Sequence, residues 1–207
     1  MRYKLSFSAG SLLVSESVRT ARLYREIGDW DTVKRVVHAE NVIQKVRSTS
    51  VSRMLREIRC RLSALTPEQL DALSELDRKD QTGVLYLAVC KYYQFLRDFV
   101  VDVVRTKVLT FDNLLTHADY DRFIDSKATE HRELLDLSPS SAAKLRQVTW
   151  RILAEAHLLE STRSGVITPF IPSPAVMQAV VHDDREWLKV FLMSDTDIAR
   201  QEPAHAR

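Results

Sequence analysis

The sequence predicts a mainly α-helical protein in two parts, and three observations carry the prediction. Apolar residues make up 45% of the 207 residues and charged residues 28%, with only 4 Gly and 6 Pro. A β-rich chain of this length needs more turn glycine. Apolar residues recur at helical spacing through most of the chain, and Ser/Thr/Asp-led capping phrases precede several of those runs. The length is enough for one large or two small domains with a buried core.

The first helix is expected from about Ser15 to Ile27, with Gly28 as its stop and Asp29 as the next cap. A second runs from Trp30 to about Glu40, with Trp30, Val33, Val36 and Val37 apolar, and Asn41–Val46 either continues it or forms a short third helix. Ser48-Thr49-Ser50 then offers side-chain oxygens to cap a new start. In the helix that follows, Val51, Met54, Leu55, Ile58, Leu62 and Leu65 fall within about 100° of arc. Thr66-Pro67-Glu68-Gln69 reads as a capping box with proline at the first helical position, opening a helix to about Leu76. Arg78-Lys79-Asp80 reads as a polar joint before a hydrophobic helical region, Val84–Val104, with a kink expected near Arg97-Asp98.

Past Leu109 the texture changes, so the first part is drawn as residues 1–110 and the second as 111–198, with 199–207 a disordered tail. Thr116-His117-Ala118-Asp119 caps a helix to about Ala128, and Ser138-Pro139 opens a longer one to about Glu160. Its inner stripe is Leu145, Val148, Thr149, Ile152, Ala156 and Leu159; Trp150 lies outside it and is expected to pack on the other part. Gly165–Ile171 and Trp187–Leu192 read as two short strands around a short helix begun by Ser173-Pro174. Helix, helix, strand and returning strand is the order of a winged-helix-like unit.

Charge is distributed unevenly. Lys34, Arg35, Lys45, Arg47, Arg53, Arg56, Arg59 and Arg61 stand against only Glu40 and Glu57, a local +6 in a chain whose net charge is +2. A local basic field is what attracts a phosphate backbone. Within it, Arg47-Ser-Thr-Ser-Val-Ser-Arg-Met-Leu reads like the turn and first helical turn of a helix-turn-helix reading helix. Lys45 and Arg47 would hold phosphates and set register, with Ser50, Ser52, Arg53, Arg56 and Arg59 as contacts on the helix. A merely solvated basic face is the competing reading, since Arg stems cover apolar surface well.

Other chemistry finds little support. The six histidines are scattered, and His182-Asp183-Asp184, the nearest thing to a cluster, reads as a polar turn because consecutive residues rarely converge on one ion. No Gly-rich phosphate loop or nucleophile elbow occurs. Asp98 and Asp102 sit one turn apart, but Arg97 and Arg105 flank them and point to ion pairing. No enzyme, cofactor, metal or small-molecule substrate is expected. Cys60 and Cys90 lack a metal-like spacing, which suits a reducing cytoplasm. The opening residues lack a signal-peptide pattern. Lys91, Gln94, Arg97, Asp98 and Asp102 interrupt the longest apolar stretch too often for a membrane span.

Several phrases together resemble the BrxA family of bacterial BREX phage-defence systems. They are Tyr3-Lys-Leu-Ser-Phe-Ser-Ala-Gly-Ser-Leu-Leu with Glu16, Arg47-Ser-Thr-Ser-Val-Ser-Arg with Arg61-Leu62, and Leu87-Ala-Val-Cys-Lys-Tyr-Tyr with Arg97-Asp98-Phe99. Lys144-Leu-Arg-Gln-Val leading to Ala154-Glu-Ala-His-Leu-Leu completes the set, and the likeness runs to about Leu192. The resemblance implies a small, helical, non-enzymatic BREX component encoded beside a methyltransferase and large ATPases, associated with double-stranded DNA and likened to NusB-type RNA-binding factors. Double-stranded DNA and other BREX proteins are the partners it suggests. It carries no catalytic motif and fixes no contact residues, so the basic-helix argument alone supplies the candidate site.

Overall fold

Helix starts follow the capping chemistry written in the sequence. The computed structural model describes residues 2–9, 11–43 and 48–201. α1 (Val14–Ile27) ends on Gly28 in the left-handed region, at φ 74°. α2 (Trp30–Ala39) begins where the Asp29 carboxylate accepts the Thr32 N–H at 2.7 Å. α3 (Ser48–Leu62) follows, and α4 (Pro67–Glu75) opens on a reciprocal box: Thr66 Oγ1 accepts the Gln69 N–H and Gln69 Oε1 accepts the Thr66 N–H, each at 3.2 Å. Caps of this kind contribute about 0.5–2 kcal/mol each.

Arg78-Lys79-Asp80 is not a joint but the first turn of α5 (Arg78–Tyr92), capped by Asp77 accepting the Asp80 N–H at 3.0 Å. Every residue from Asp80 to Cys90 on α5 is buried, which explains why its sequence lacks a polar face. It is the central helix, packed against α1, α3, α4 and α10. Gly83 meets Phe170 so closely that an added Cβ would lie 2.8 Å from the ring. The helical break falls at Tyr93 (φ −109°, ψ 90°), earlier than the Arg97-Asp98 expected from charge. Its hydroxyl donates to Glu57 Oε1 at 2.5 Å, so a buried polar contact marks the break. α6 (Gln94–Phe99) then runs through a π-helical segment, Val100–Arg105, into α7 (Thr106–Leu109).

α8 (His117–Ala128) starts on the Thr116/Asp119 box, and α9 (Pro139–Glu155) on Ser138. α9 stops short of Glu160 because His157 turns left-handed (φ 59°) and the Leu158 N–H reaches back to the Leu153 carbonyl at 2.8 Å. α10 (Pro174–Asp184), a 3-10 helix (Arg185–Phe191) and α11 (Asp195–Ala199) complete the chain. Ala199 thus closes a short helix; residues 202–207 of the expected tail lie outside the described residues.

The two expected strands do not form. Gly165–Ile171 supplies only isolated antiparallel bridges, Leu114 with Val166 and Leu159 with Ile167. Pro169 and Pro172 remove backbone donors that a longer ladder requires. Trp187–Leu192 lies almost wholly in the 3-10 helix, with Leu188, Val190 and Phe191 buried. Its apolar positions 187, 188, 190 and 191 fit a three-residue repeat as well as an extended one. Without a returning strand, the winged-helix reading of this segment loses its wing.

A core runs through both halves of the sequence, from Tyr3 to Ile198. Trp150 packs across it, its ring 6.0 Å from Phe99 and 5.7 Å from Tyr120. Tyr3 ties the N-terminal residues to the middle of the chain. Its N–H donates to Glu133 at 2.5 Å, its hydroxyl to Asp98 at 2.8 Å, and its ring stacks on His131 at 3.5 Å. Among the described residues, no helix is long and apolar enough to cross a membrane.

Candidate nucleic-acid interface

The apolar stripe of α3 fixes which of its arginines face solvent. Val51, Leu55, Ile58 and Leu62 are buried, so Arg53, Arg56 and Arg59, at steps of three residues, emerge together on the other side. α2 does the same from across the gap: Val33 and Val37 go inward, and Trp30 and Lys34, one turn apart, face α3. Between the helices lies a groove of about 470 Å³ lined by Trp30, Lys34, Ser52, Arg53, Arg56 and Arg59, with Leu55 at its base. Lys34, Arg53, Arg56 and Arg59 form no ion pair with any described residue.

Trp30 is held rather than free. Its ring stacks on Tyr24, centroids 4.2 Å apart and 18° from parallel, and the Arg59 guanidinium sits 5.5 Å from its centroid. The cation–π contact steadies Arg59 in the groove. Ser52 Oγ lies 3.2 Å from His38 Nε2, a polar link between the two helices. Arg19 reaches the Val42 carbonyl at 3.0 Å, pinning the chain after α2.

The structure therefore gathers Ser52, Arg53, Arg56 and Arg59 into one groove and leaves Ser50 exposed in the first turn of α3. Lys45 and Arg47 lie outside the described residues. Lys34 and Trp30 were missing from the expected contacts, although their four-residue spacing was a readable signal that they share a face. Arg61, counted in the basic stretch, belongs to the core. It is 0% exposed, donates from Nε to Glu57 Oε1 at 2.9 Å, and donates from Nη1 to the Ser11 carbonyl at 2.6 Å.

Several other titratable residues are engaged elsewhere. Asp98 pairs with Arg97 at 2.9 Å, Asp102 with Lys127 at 2.8 Å, and Arg105 with Asp195 at 2.9 Å. His182 and Asp183 lie in the last turn of α10, where they meet Glu68 at 3.0 Å and Lys91 at 2.9 Å respectively. On α9, Arg146 pairs with Asp121 at 3.2 Å. Burial pushes the Cys90 thiol up to about 12, which keeps it protonated and unreactive.

Fold and groove together define a helical protein with a basic cleft between two helices, its four cations without an acidic partner among the described residues. The family model for BrxA matches residues 1–184, and the chain belongs to that family. Among curated relatives, the BREX protein BrxA of Escherichia coli O9:H4 (strain HS) is 25% identical over 154 residues, 74% of this chain and 72% of that protein. The BREX protein BrxA of Bacillus cereus (strain H3081.97) is 22% identical over 163 residues, 79% and 82% of the two chains. A crystal structure of an uncharacterized protein from Magnetospirillum magneticum shares the fold, with a TM-score of 0.80 and 24% identity over 93% of this chain and 99% of that one.

Proposed function

We propose that this protein is a non-enzymatic, cytoplasmic accessory of a BREX phage-defence system that binds double-stranded DNA through α2 and α3 as a helix-turn-helix-like pair. The observation that carries the reading is the convergence of Lys34, Arg53, Arg56 and Arg59 on one groove without acidic partners among the described residues. Cations held apart from carboxylates are available to replace the counterions of a phosphate backbone. Ser50 and Ser52 sit where they can hydrogen-bond phosphates or base edges. Few side chains suited to bidentate base reading accompany the arginines, so the binding is of low sequence specificity.

One observation favours a second reading, an RNA or single-strand partner: an aromatic residue, Trp30, lines the groove. Unpaired bases stack on such rings. Trp30 already stacks on Tyr24 and lies under Arg59, so a base must displace an existing contact to use it. That favours the duplex.

Fluorescence anisotropy of labelled duplex DNA, single-stranded DNA and hairpin RNA tests the proposal at about 50 and 200 mM salt, where phosphate contacts show their dependence. The expected result is duplex binding that weakens with salt and disappears in Arg53→Glu/Arg56→Glu while the variant stays folded. Absence of binding to every nucleic acid at low salt overturns it and leaves a protein-binding adaptor, with other BREX proteins as its partners.

A further inference from the structure

The acidic texture of the C-terminal half hides a second basic face. Along α9, Ser140, Lys144, Gln147 and Arg151 recur at steps of four, three and four residues, which places them on one side of the helix. All four are exposed, and with Thr162 they line a groove of about 650 Å³. Among the described residues, no carboxylate lines it. Lys144 Nζ donates to Gln147 Oε1 at 3.0 Å, and neither Lys144 nor Arg151 forms an ion pair with any described residue.

The carboxylates that crowd this part of the sequence are turned to other uses. Asp121 and Asp125 line a different groove, between α8 and α9, where Asp121 engages Arg146 at 3.2 Å. Asp119 serves the Thr116 cap and pairs with Lys107 and Arg122, and Glu133 accepts the Tyr3 N–H. Packing thus sorts charges that the sequence interleaves.

The groove's chemistry narrows its partner. Protein-binding hot spots centre on aromatic or aliphatic anchors. Here no exposed large apolar side chain lines the groove, and Trp150, at 4% exposed, is held against His117 and Tyr120 with no free face for an unpaired base. What remains is a polar stripe. Lys144 and Arg151 lie two turns apart, about 10 Å, or roughly three phosphate steps of one duplex strand at 3.4 Å of axis each.

We propose that the α9 groove is a second, weaker duplex-binding surface, through which the protein bridges two segments of DNA, one in each groove. The inference rests on the duplex reading of the α2/α3 groove. The two grooves share no lining residue, and the 3-10 helix Ser6–Ala9 packs against both α3 and α9, so the surfaces are separate. Two free cations give a salt slope of about −1.8, half that of the other groove, so one α9 contact does not hold a short duplex alone. Many copies along a long duplex add their weak contacts together.

Bead capture tests it. Biotinylated duplex of about 1,000 base pairs, several persistence lengths, is fixed to beads, coated with protein at about 50 mM salt and offered a labelled free duplex of the same length. Wild type is expected to capture the free duplex, with capture falling steeply by about 200 mM salt. Lys144→Glu/Arg151→Glu is expected to coat the beads and bind a short duplex as wild type does, which also shows it folded, yet to capture at least about tenfold less. Coated beads that capture nothing overturn the proposal. So does a variant that captures as wild type does, since the bridge then runs through protein–protein contact. Beads left uncoated by wild type sink the α2/α3 reading and this one together. Preference for immobilised poly-glutamate over duplex, lost in the same variant, overturns it in favour of an acidic protein partner.

Discussion

The two ends of α3 use the same residue type for opposite purposes. Arg53 and Arg56 lie exposed on the groove without an ion pair to any described residue, whereas Arg61, two turns on, is sealed in the core with Glu57, Tyr93 and the carbonyls of Ser11 and Leu12. The difference teaches that local charge density says where cations gather along the chain, while burial and pairing decide what each one does. An arginine inside such a network is a structural strut. One outside it is available to a ligand.

The largest expected effect separates the two directly. Arg61→Ala leaves Glu57 buried without its partner and should cost about 3–5 kcal/mol, lowering Tm by roughly 6–20 °C in thermal unfolding. Arg53→Glu/Arg56→Glu should leave Tm nearly unchanged yet weaken duplex binding by tenfold or more at low salt. Equal Tm losses in the two variants would erase the contrast between strut and contact.

The salt dependence then sharpens the count of contacts. If the four groove cations each meet a phosphate, log K against log salt should have a slope of about −3.6, and Arg53→Ala should flatten it by about 1. Trp30→Ala comes next. Losing the support of Arg59 should weaken duplex binding a few-fold, whereas a base-stacking role would cost about 1–3 kcal/mol per base with single strands and spare the duplex. Parallel titrations of both probes read the outcome.

The smallest effect lies at the α8 cap. Burial alone would raise the Asp119 pKa, but hydrogen bonds from Thr116 and the charge of Lys107 outweigh it and hold the carboxyl below the usual range. A folded pKa below the unfolded value, about 3.9, gives stability that is present above that pH and lost as pH falls toward the folded pKa. Asp119→Asn should therefore melt below wild type at pH 7, with the gap closing between about pH 5 and 3. A gap constant with pH would mean that charge at this cap contributes nothing.

Much of this architecture was legible because capping is local. Asp29, Thr66, Thr116, Ser138 and Ser173 each announce a helix through chemistry spanning four residues, and each caps one. The buried stripe of α3 was equally plain, and with it the exposure of Arg53, Arg56 and Arg59. Tertiary facts were not. Nothing near Arg61 in sequence reveals that Ser11 and Leu12 will offer it their carbonyls. Trp30 reads as an edge residue until α2 and α3 are brought side by side. The segment Trp187–Leu192 misled because short apolar runs satisfy a strand and a 3-10 helix alike, and only packing chooses between them.

The π-helical stretch at Val100–Arg105 has a consequence for the chain as a mechanical linkage. Each residue of an α-helix turns the next by about 100°, so a wider coil resets the phase of everything that follows. Here that phase aims Lys107 at Asp112 and Asp119. Tightening the stretch to α-helix with all its residues kept would swing Lys107 by about 100°, away from both carboxylates, whereas deleting one residue as it tightens would keep the phase. The linkage works like a keyed shaft, in which a single tooth sets the angle at which the far half of the molecule is driven.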